Sequence, residues 1–99
     1  MSRGPDEHRW EWGDDVVVCY LRRYPGKPTG FSDEKICDLL GISSGALAYR
    51  KGNFKAVEGG GGFKHPAELT KLVHQALIDL PEPLHRTQAL AILRWKQSR

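Results

Sequence analysis

The sequence predicts an all-α fold of about five helices, and three observations indicate it. Segment 34–50 has the pattern of two short helices joined by a turn at Gly41. Segment 69–80 has the most regular amphipathic repeat in the chain, with apolar residues at helical spacing. The 99 residues, 39% of them hydrophobic and 27% charged, suit one small globular domain. We therefore expect residues 1–99 to form a single domain, with residues 1–9 as a flexible arm.

The first helix is expected to run from Asp14 to about Tyr24. Two adjacent carboxylates at its start suit the positively polarised N-terminus of a helix. The β-branched run at 16–18 would also suit a strand, but apolar residues at i, i+3, i+4 and i+7 favour the helix. Trp10 and Trp12 precede this helix, and at least one of them should fold back on the core.

A helix-turn-helix is predicted for residues 33–54. Ser32 should cap its first helix, Gly41 can adopt the left-handed conformation that ends that helix, and Ser43 is a favourable N-cap for the second. Proteins with this motif can place the second helix in the major groove of DNA. The glycine run at 59–62 follows the motif and is expected to form a flexible, wing-like loop.

Two further helices are expected in the C-terminal third of the chain. Pro66 suits the first position of a fourth helix, and the Pro-Glu-Pro segment at 81–83 should break it. A fifth helix should span about 85–96, and residues such as Ile92 and Trp95 spread apolar surface around it. Such a helix is either well buried or contacts a partner. A homodimer through helices four and five is therefore a second expectation.

The charges are unevenly distributed along the chain. The net charge of the protein is +3, which permits nucleic-acid binding without establishing it. Residues 1–15 contain two arginines and five acidic residues, whereas residues 43–65 contain four basic residues and one acidic residue. The positive excess therefore lies on the proposed recognition helix and the loop behind it. A run of charges can also be an ordinary solvated surface.

The candidate DNA contacts lie on that recognition helix. Successive residues of a helix are about 100° apart around its axis. If Leu47 points at the core, this spacing shows which side chains of the recognition helix point outward. The residues expected to contact bases are Ser44, Gly45, Ala48, Tyr49 and Asn53. The residues expected to contact phosphates are Ser43, Arg50, Lys51, Lys55 and Lys64. Asparagine can pair with adenine through two hydrogen bonds, and long basic side chains can cover apolar surface while their charged heads reach outward. Alternatively, Tyr49 packs on a neighbouring helix and Asn53 caps the helix end.

No catalytic, cofactor or metal motif is recognisable in the sequence. Asp14 and Asp15 are adjacent, so on a helix they diverge by about 100° and do not share a site. The four histidines have no metal-site spacing with either cysteine. The glycine run lacks the Lys-Ser or Lys-Thr sequel of a phosphate-binding loop, because Phe63 follows it. We therefore expect no enzymatic activity and no cofactor.

The cysteines and the hydropathy pattern indicate a cytoplasmic protein. Cys19 and Cys37 both lie within apolar helical patterns, where a free cysteine behaves as a small buried hydrophobic residue. The N-terminus has no apolar signal segment, and no apolar run approaches the length of a membrane span. We therefore expect reduced thiols and no membrane contact.

A set of short motifs runs through residues 12–76. Trp12 precedes the first helix, Leu40-Gly41 forms the turn, and residues 44–54 read Ser-Gly-Ala-Leu-Ala-Tyr-Arg-Lys-Gly-Asn-Phe. The other matching residues are Leu21, Tyr24, Val57-Glu58, Gly62-Phe63, Ala67-Glu-Leu69 and Val73. This pattern resembles the small helical DNA-reading domain at the N-terminus of some HNH-type restriction endonucleases. The resemblance implies a DNA-binding domain that can sense particular or modified DNA. It does not extend to a nuclease half.

The function expected from these observations is non-catalytic binding of double-stranded DNA. Two settings suit such a domain equally well: a transcription regulator, and the DNA-reading module of a defence or phage system. The alternative is a protein–protein interaction or dimerisation module that uses helices four and five. In that case the helix-turn-helix would serve only as a packing motif.

Overall fold

The computed structural model describes residues 8–59 and 66–99. These segments form five α-helices and no strand, which confirms the predicted all-α fold. The helices are α1 Trp12–Arg23, α2 Asp33–Leu40, α3 Ser44–Val57, α4 Glu68–Leu77 and α5 Glu82–Ser98. Most of the predicted glycine wing, residues 60–62, lies outside the described part of the chain.

Several helix boundaries differ from the predicted ones. Helix α1 begins earlier, because the Asp14 carboxylate accepts the backbone N–H of Glu11 at 3.0 Å from within the first turn. Helix α4 begins after Ala67 and ends at Leu77. The prolines at 81–83 lie at the start of α5, where a missing N–H costs nothing, and α5 therefore begins at Glu82.

The helix-turn-helix is formed as predicted. The Ser32 hydroxyl accepts the N–H of Lys35 at 3.0 Å, and the Ser43 hydroxyl accepts the N–H of Ala46 at 3.0 Å. Gly41 has a φ of 76°, the left-handed conformation that ends α2 and turns the chain into α3. These local contacts define where α3 begins and in which direction it leaves the turn.

Helix α1 lies at the centre of the domain and packs against α3, α4 and α5. Its valine run at 16–18 is completely buried, and so are Cys19 and Tyr20. A helix that is apolar around most of its circumference is one surrounded by protein, which explains why this run is helical rather than extended. Trp10 folds back on the core as predicted, while Trp12 is 47% exposed.

A buried ion pair joins the central helix α1 to α3. Arg50 of α3 donates two hydrogen bonds to Asp15 of α1, from Nε to Oδ1 at 2.8 Å and from Nη2 to Oδ2 at 2.6 Å. The Trp10 ring centroid lies 4.4 Å from the Arg50 guanidinium carbon, and Thr70 of α4 lies 3.5 Å from Asp15 Oδ2. Burial raises the pKa of the Asp15 carboxyl, and the two bonds from Arg50 limit that shift. This cluster of four residues, the Asp15–Arg50 cluster, connects the N-terminal segment with three helices.

A second buried polar group anchors α5 to α1. His85 is fully buried, and its Nε2–H donates to the backbone oxygen of Val16 at 3.0 Å. Its ring packs edge-on against Tyr20 at 5.3 Å between centroids. Burial lowers the pKa of His85 below its ordinary value of 6.5, and the bond to Val16 partly opposes this effect. The imidazole is therefore held neutral in the fold.

We expect Arg50→Ala to lower the free energy of unfolding by about 3–5 kcal/mol, because it leaves the Asp15 carboxylate buried without its partner. Chemical denaturation of the purified protein measures this loss. Arg22→Ala is the matched control, because Arg22 pairs with Glu58 at 3.4 Å on the surface. It should cost less than about 1 kcal/mol. Equal losses in the two variants would contradict a structural role for the buried pair.

The contribution of His85 to the stability of the fold should fall as the pH drops from about 7 to about 5. Below pH 6.5 the unfolded chain takes up a proton at His85 that the folded protein resists, so stability is lost as the pH falls through the unfolded pKa. Each unit between the two pKa values corresponds to about 1.4 kcal/mol. A His85→Gln variant keeps an N–H donor but does not titrate. Its free energy of unfolding should depend less on pH over this interval, and identical pH profiles would rule out His85 as the cause.

Candidate nucleic-acid interface

The orientation of α3 decides which side chains it offers to solvent. Its buried residues occupy one arc and are Ala46, Leu47, Arg50, Asn53 and Phe54. At about 100° per residue, that arc is centred on Arg50 and not on Leu47. The helix is therefore rotated by about 60° from the predicted orientation. The outward arc that remains is centred between Ala48 and Gly52.

Four of the five predicted base-contacting residues lie on this outward arc. Ser44, Gly45, Ala48 and Tyr49 are all exposed, and Tyr49 has 58% of its surface accessible. They occupy the N-terminal half of α3, the part of a recognition helix that meets base edges in helix-turn-helix complexes. A Cβ built at Gly45 would meet only the Ser43 hydroxyl, at 3.8 Å. The surface around Gly45 is therefore open.

Asn53 is the exception, and the prediction that it faces solvent is wrong. Only 5% of its surface is accessible. Its amide nitrogen donates to the Tyr49 backbone oxygen at 3.2 Å, and its amide oxygen accepts the Ala67 N–H at 2.7 Å. Asn53 thus connects α3 to the start of α4, since the 60° rotation of α3 carries it into the buried arc.

Arg50 also differs from its predicted position as an outward phosphate contact. Its side chain is 9% exposed, and the guanidinium lies between Asp15 and Trp10. A buried carboxylate with two hydrogen bonds holds the guanidinium more strongly than solvent would. The Arg50 guanidinium is therefore not available to contact a phosphate. Replacing Arg50 would disturb the fold and would not report on a DNA contact.

The other predicted phosphate contacts differ in their accessibility. Lys55 is exposed and Lys51 is partly exposed, both on the side of α3 that faces α2. Ser43 is exposed, and its hydroxyl oxygen accepts the Ala46 N–H as the helix cap. Lys64 lies outside the described residues. Two lysines and one hydroxyl therefore remain as described candidates.

A groove of about 600 Å³ runs between α2 and α3, and we call it the acidic groove. Its apolar floor comes from Cys37, Ile42, Leu47 and Ala48. The polar residues along its rim are Asp33, Glu34, Asp38, Ser43, Ser44 and Lys51. Three carboxylates face one lysine, so the groove is electronegative. Burial raises the pKa of the Cys37 thiol, and the charges of Asp33 and Asp38 raise it further.

Sequence reasoning missed both the acidic groove and the role of Asp15. Glu34 and Asp38 are four residues apart, so they lie on one face of a helix, and that spacing is visible in the sequence. Asp15 stands three and four residues before Val18 and Cys19, which places it on the same face as buried apolar residues. Its buried position could have been inferred from this spacing. Its partner could not, since Arg50 is 35 residues away.

The remaining polar clusters of the described segments serve the fold. Asp14 is buried and lies 3.3 Å from Lys96 Nζ and 3.1 Å from His8 Nε2. Within residues 8–59 and 66–99, no three His, Cys, Asp or Glu side chains are grouped to hold a metal ion. Cys19 and Cys37 are free, buried thiols, as predicted.

None of the five helices in the described segments is both long enough and apolar enough to cross a membrane.

Comparison with protein-family models, with curated proteins and with solved structures gives no match to this chain. The geometry of α2, α3 and their surroundings is therefore the basis for a proposed function.

Proposed function

We propose that the protein binds double-stranded DNA without catalysis, with the N-terminal half of α3 in the major groove. The observation that carries this proposal is the exposed set Ser44, Gly45, Ala48 and Tyr49 on the second helix of a helix-turn-helix. Small side chains permit a close approach to base edges. The hydroxyls of Ser44 and Tyr49 can each donate or accept a hydrogen bond there.

The rigidity of α3 supports the same function. Arg50 attaches its middle to α1, and Asn53 attaches its second half to α4 through the Ala67 N–H. Ser43 caps the helix at the other end. A reading helix held at three points loses little conformational freedom on binding, which favours affinity and sequence discrimination.

The charge distribution suits selective binding better than non-specific binding. Lys51 and Lys55 can neutralise phosphates beside α3, while Asp33, Glu34 and Asp38 on the neighbouring helix repel them. The electrostatic contribution to affinity is therefore small, and base contacts must supply most of it. A transcription regulator and a DNA-reading module of a defence or phage system would both use this chemistry.

We expect Gly45→Glu to weaken DNA binding at least tenfold, a loss of about 1.4 kcal/mol. The new side chain places a negative charge in the middle of the outward surface. The fold should tolerate it, because the site is open and glutamate is a better helix former than glycine. Fluorescence anisotropy measures the affinity for duplexes that the unchanged protein selects from a random-sequence library, prepared with and without modified cytosine.

The matched control is Gln97→Glu, which adds the same charge to an exposed position of α5, a helix that packs on α1 and α2. Its affinity should equal that of the unchanged protein. Each lysine at a phosphate contributes about −0.9 to the slope of the logarithm of affinity against the logarithm of salt, so Lys55→Ala should reduce the steepness of that slope by about one. Undetectable duplex binding at low salt, or equal affinity in both glutamate variants, would overturn the proposal.

A homodimer through α5 is the second candidate function, and one observation favours it. Four exposed residues of α5 form a stripe at spacings of four, three and four residues: Leu84, Gln88, Ala91 and Trp95. Leu84 and Trp95 at its ends are 54% and 58% exposed. In an antiparallel pair of such helices, Leu84 of one copy would meet Trp95 of the other, and the small Ala91 near the centre would permit close packing. Dimeric helix-turn-helix proteins read two half-sites in this way.

We expect sedimentation equilibrium to show concentration-dependent dimers that Trp95→Ser abolishes, because the variant removes the largest apolar side chain of the stripe. Tyr49→Ser, at a similarly exposed aromatic residue of α3, should dimerise like the unchanged protein. A protein that remains monomeric at every concentration would exclude this candidate and leave DNA binding by a monomer.

A further inference from the structure

The acidic groove combines an apolar floor with charges that the rest of the fold leaves unpaired. Within residues 8–59 and 66–99, the side chains of Asp33, Glu34 and Asp38 take part in no ion pair and no side-chain hydrogen bond. All three are exposed, and they border Cys37 and Leu47, which are mostly buried at the base of the groove. The groove thus presents apolar contact area beside concentrated negative charge.

The stability of α2 does not explain all of this charge. Asp33 and Glu34 lie in the first turn, where carboxylates favour the helix. Asp38 lies in the last turn, where a carboxylate opposes the helix dipole. Glu34 and Asp38 are also like charges at i and i+4, an arrangement that destabilises a helix by about 0.2–0.5 kcal/mol. The position of Asp38 is therefore unfavourable for the isolated helix, and it lies between the acidic groove and a second depression that Arg9, Lys96 and Arg99 also line.

We propose that the acidic groove binds a basic amphipathic helix of a partner protein. Apolar side chains of that helix would lie on Cys37, Ile42, Leu47 and Ala48. Lysine or arginine side chains along its flank would pair with the carboxylates of α2. Charge complementarity identifies the occupant, since three carboxylates and one lysine border an apolar floor.

The dimensions of the groove suit a helix better than a single small cation. Glu34 and Asp38 are four residues apart on α2, an axial separation of about 6 Å. Two charges at that separation match basic side chains that follow one another along one flank of a helix, about one turn apart. The groove is also bounded by two helices, and a third helix packed between them is a common way to cover such a surface.

The test is calorimetric titration of the full chain with a synthetic leucine–lysine amphipathic peptide. A leucine–glutamate peptide with the same apolar pattern serves as the comparison. We expect the lysine peptide to bind and the glutamate peptide not to bind. The double variant Glu34→Gln/Asp38→Asn should bind the lysine peptide at least tenfold more weakly. It removes a repulsive pair together with one favourable first-turn charge, so its free energy of unfolding should stay close to that of the unchanged protein.

The matched control is Glu68→Gln/Asp79→Asn, which removes two exposed carboxylates from outside the groove. Its affinity should remain within twofold of the unchanged protein. If both double variants bound the lysine peptide equally weakly, the peptide would be attracted by the overall charge of the protein and not by the groove. That result would overturn the proposal. Absence of binding by the lysine peptide, or equal binding of both peptides, overturns it as well.

This inference is independent of DNA binding, because the titration contains no nucleic acid. Its failure would leave the DNA proposal intact, and the reverse is also true. Ser44 and Ala48 belong both to the groove and to the outward surface of α3.

Discussion

The buried ion pair between Asp15 and Arg50 fixes how the helices of this small domain fit together. It joins the central helix α1 to α3, and Trp10 and Thr70 complete its surroundings. A charged pair at the centre of a small core cannot shift its position without leaving charges uncompensated. The pair therefore determines the rotation of α3 about its own axis, and through that rotation it decides which side chains of α3 reach solvent.

The surface that this rotation produces is neutral on one side and acidic on the other. Gly45, Ala48 and Tyr49 face outward with no charge among them, whereas the side of α3 that faces α2 borders three carboxylates. A typical non-specific DNA-binding surface is positive across its whole area. The present arrangement suits a protein that gains affinity from shape and base contacts, and it leaves a separate electronegative groove available to a basic partner.

The helix-turn-helix itself could be predicted because its determinants are local. The serine caps and the left-handed glycine each act within three or four residues, and the structure confirms all of them. The outward position of Ser44, Gly45, Ala48 and Tyr49 was also predictable. An error of about 60° in the assumed core direction left these four on the exposed arc while it misplaced Arg50 and Asn53.

The helical fold, the position of the turn and the start of α3 follow from local sequence, because capping and apolar periodicity are interactions between near neighbours. Long-range packing, in contrast, makes Arg50 a core residue, lets Asn53 connect α3 to α4, and places the carboxylates of α2 beside an apolar groove. Each of these depends on groups from different helices, such as Asp15 with Arg50 or Asn53 with Ala67. A charged residue next to an apolar stripe can turn outward to water or inward to a buried partner. The choice depends on whether another helix supplies an opposite charge at the right place.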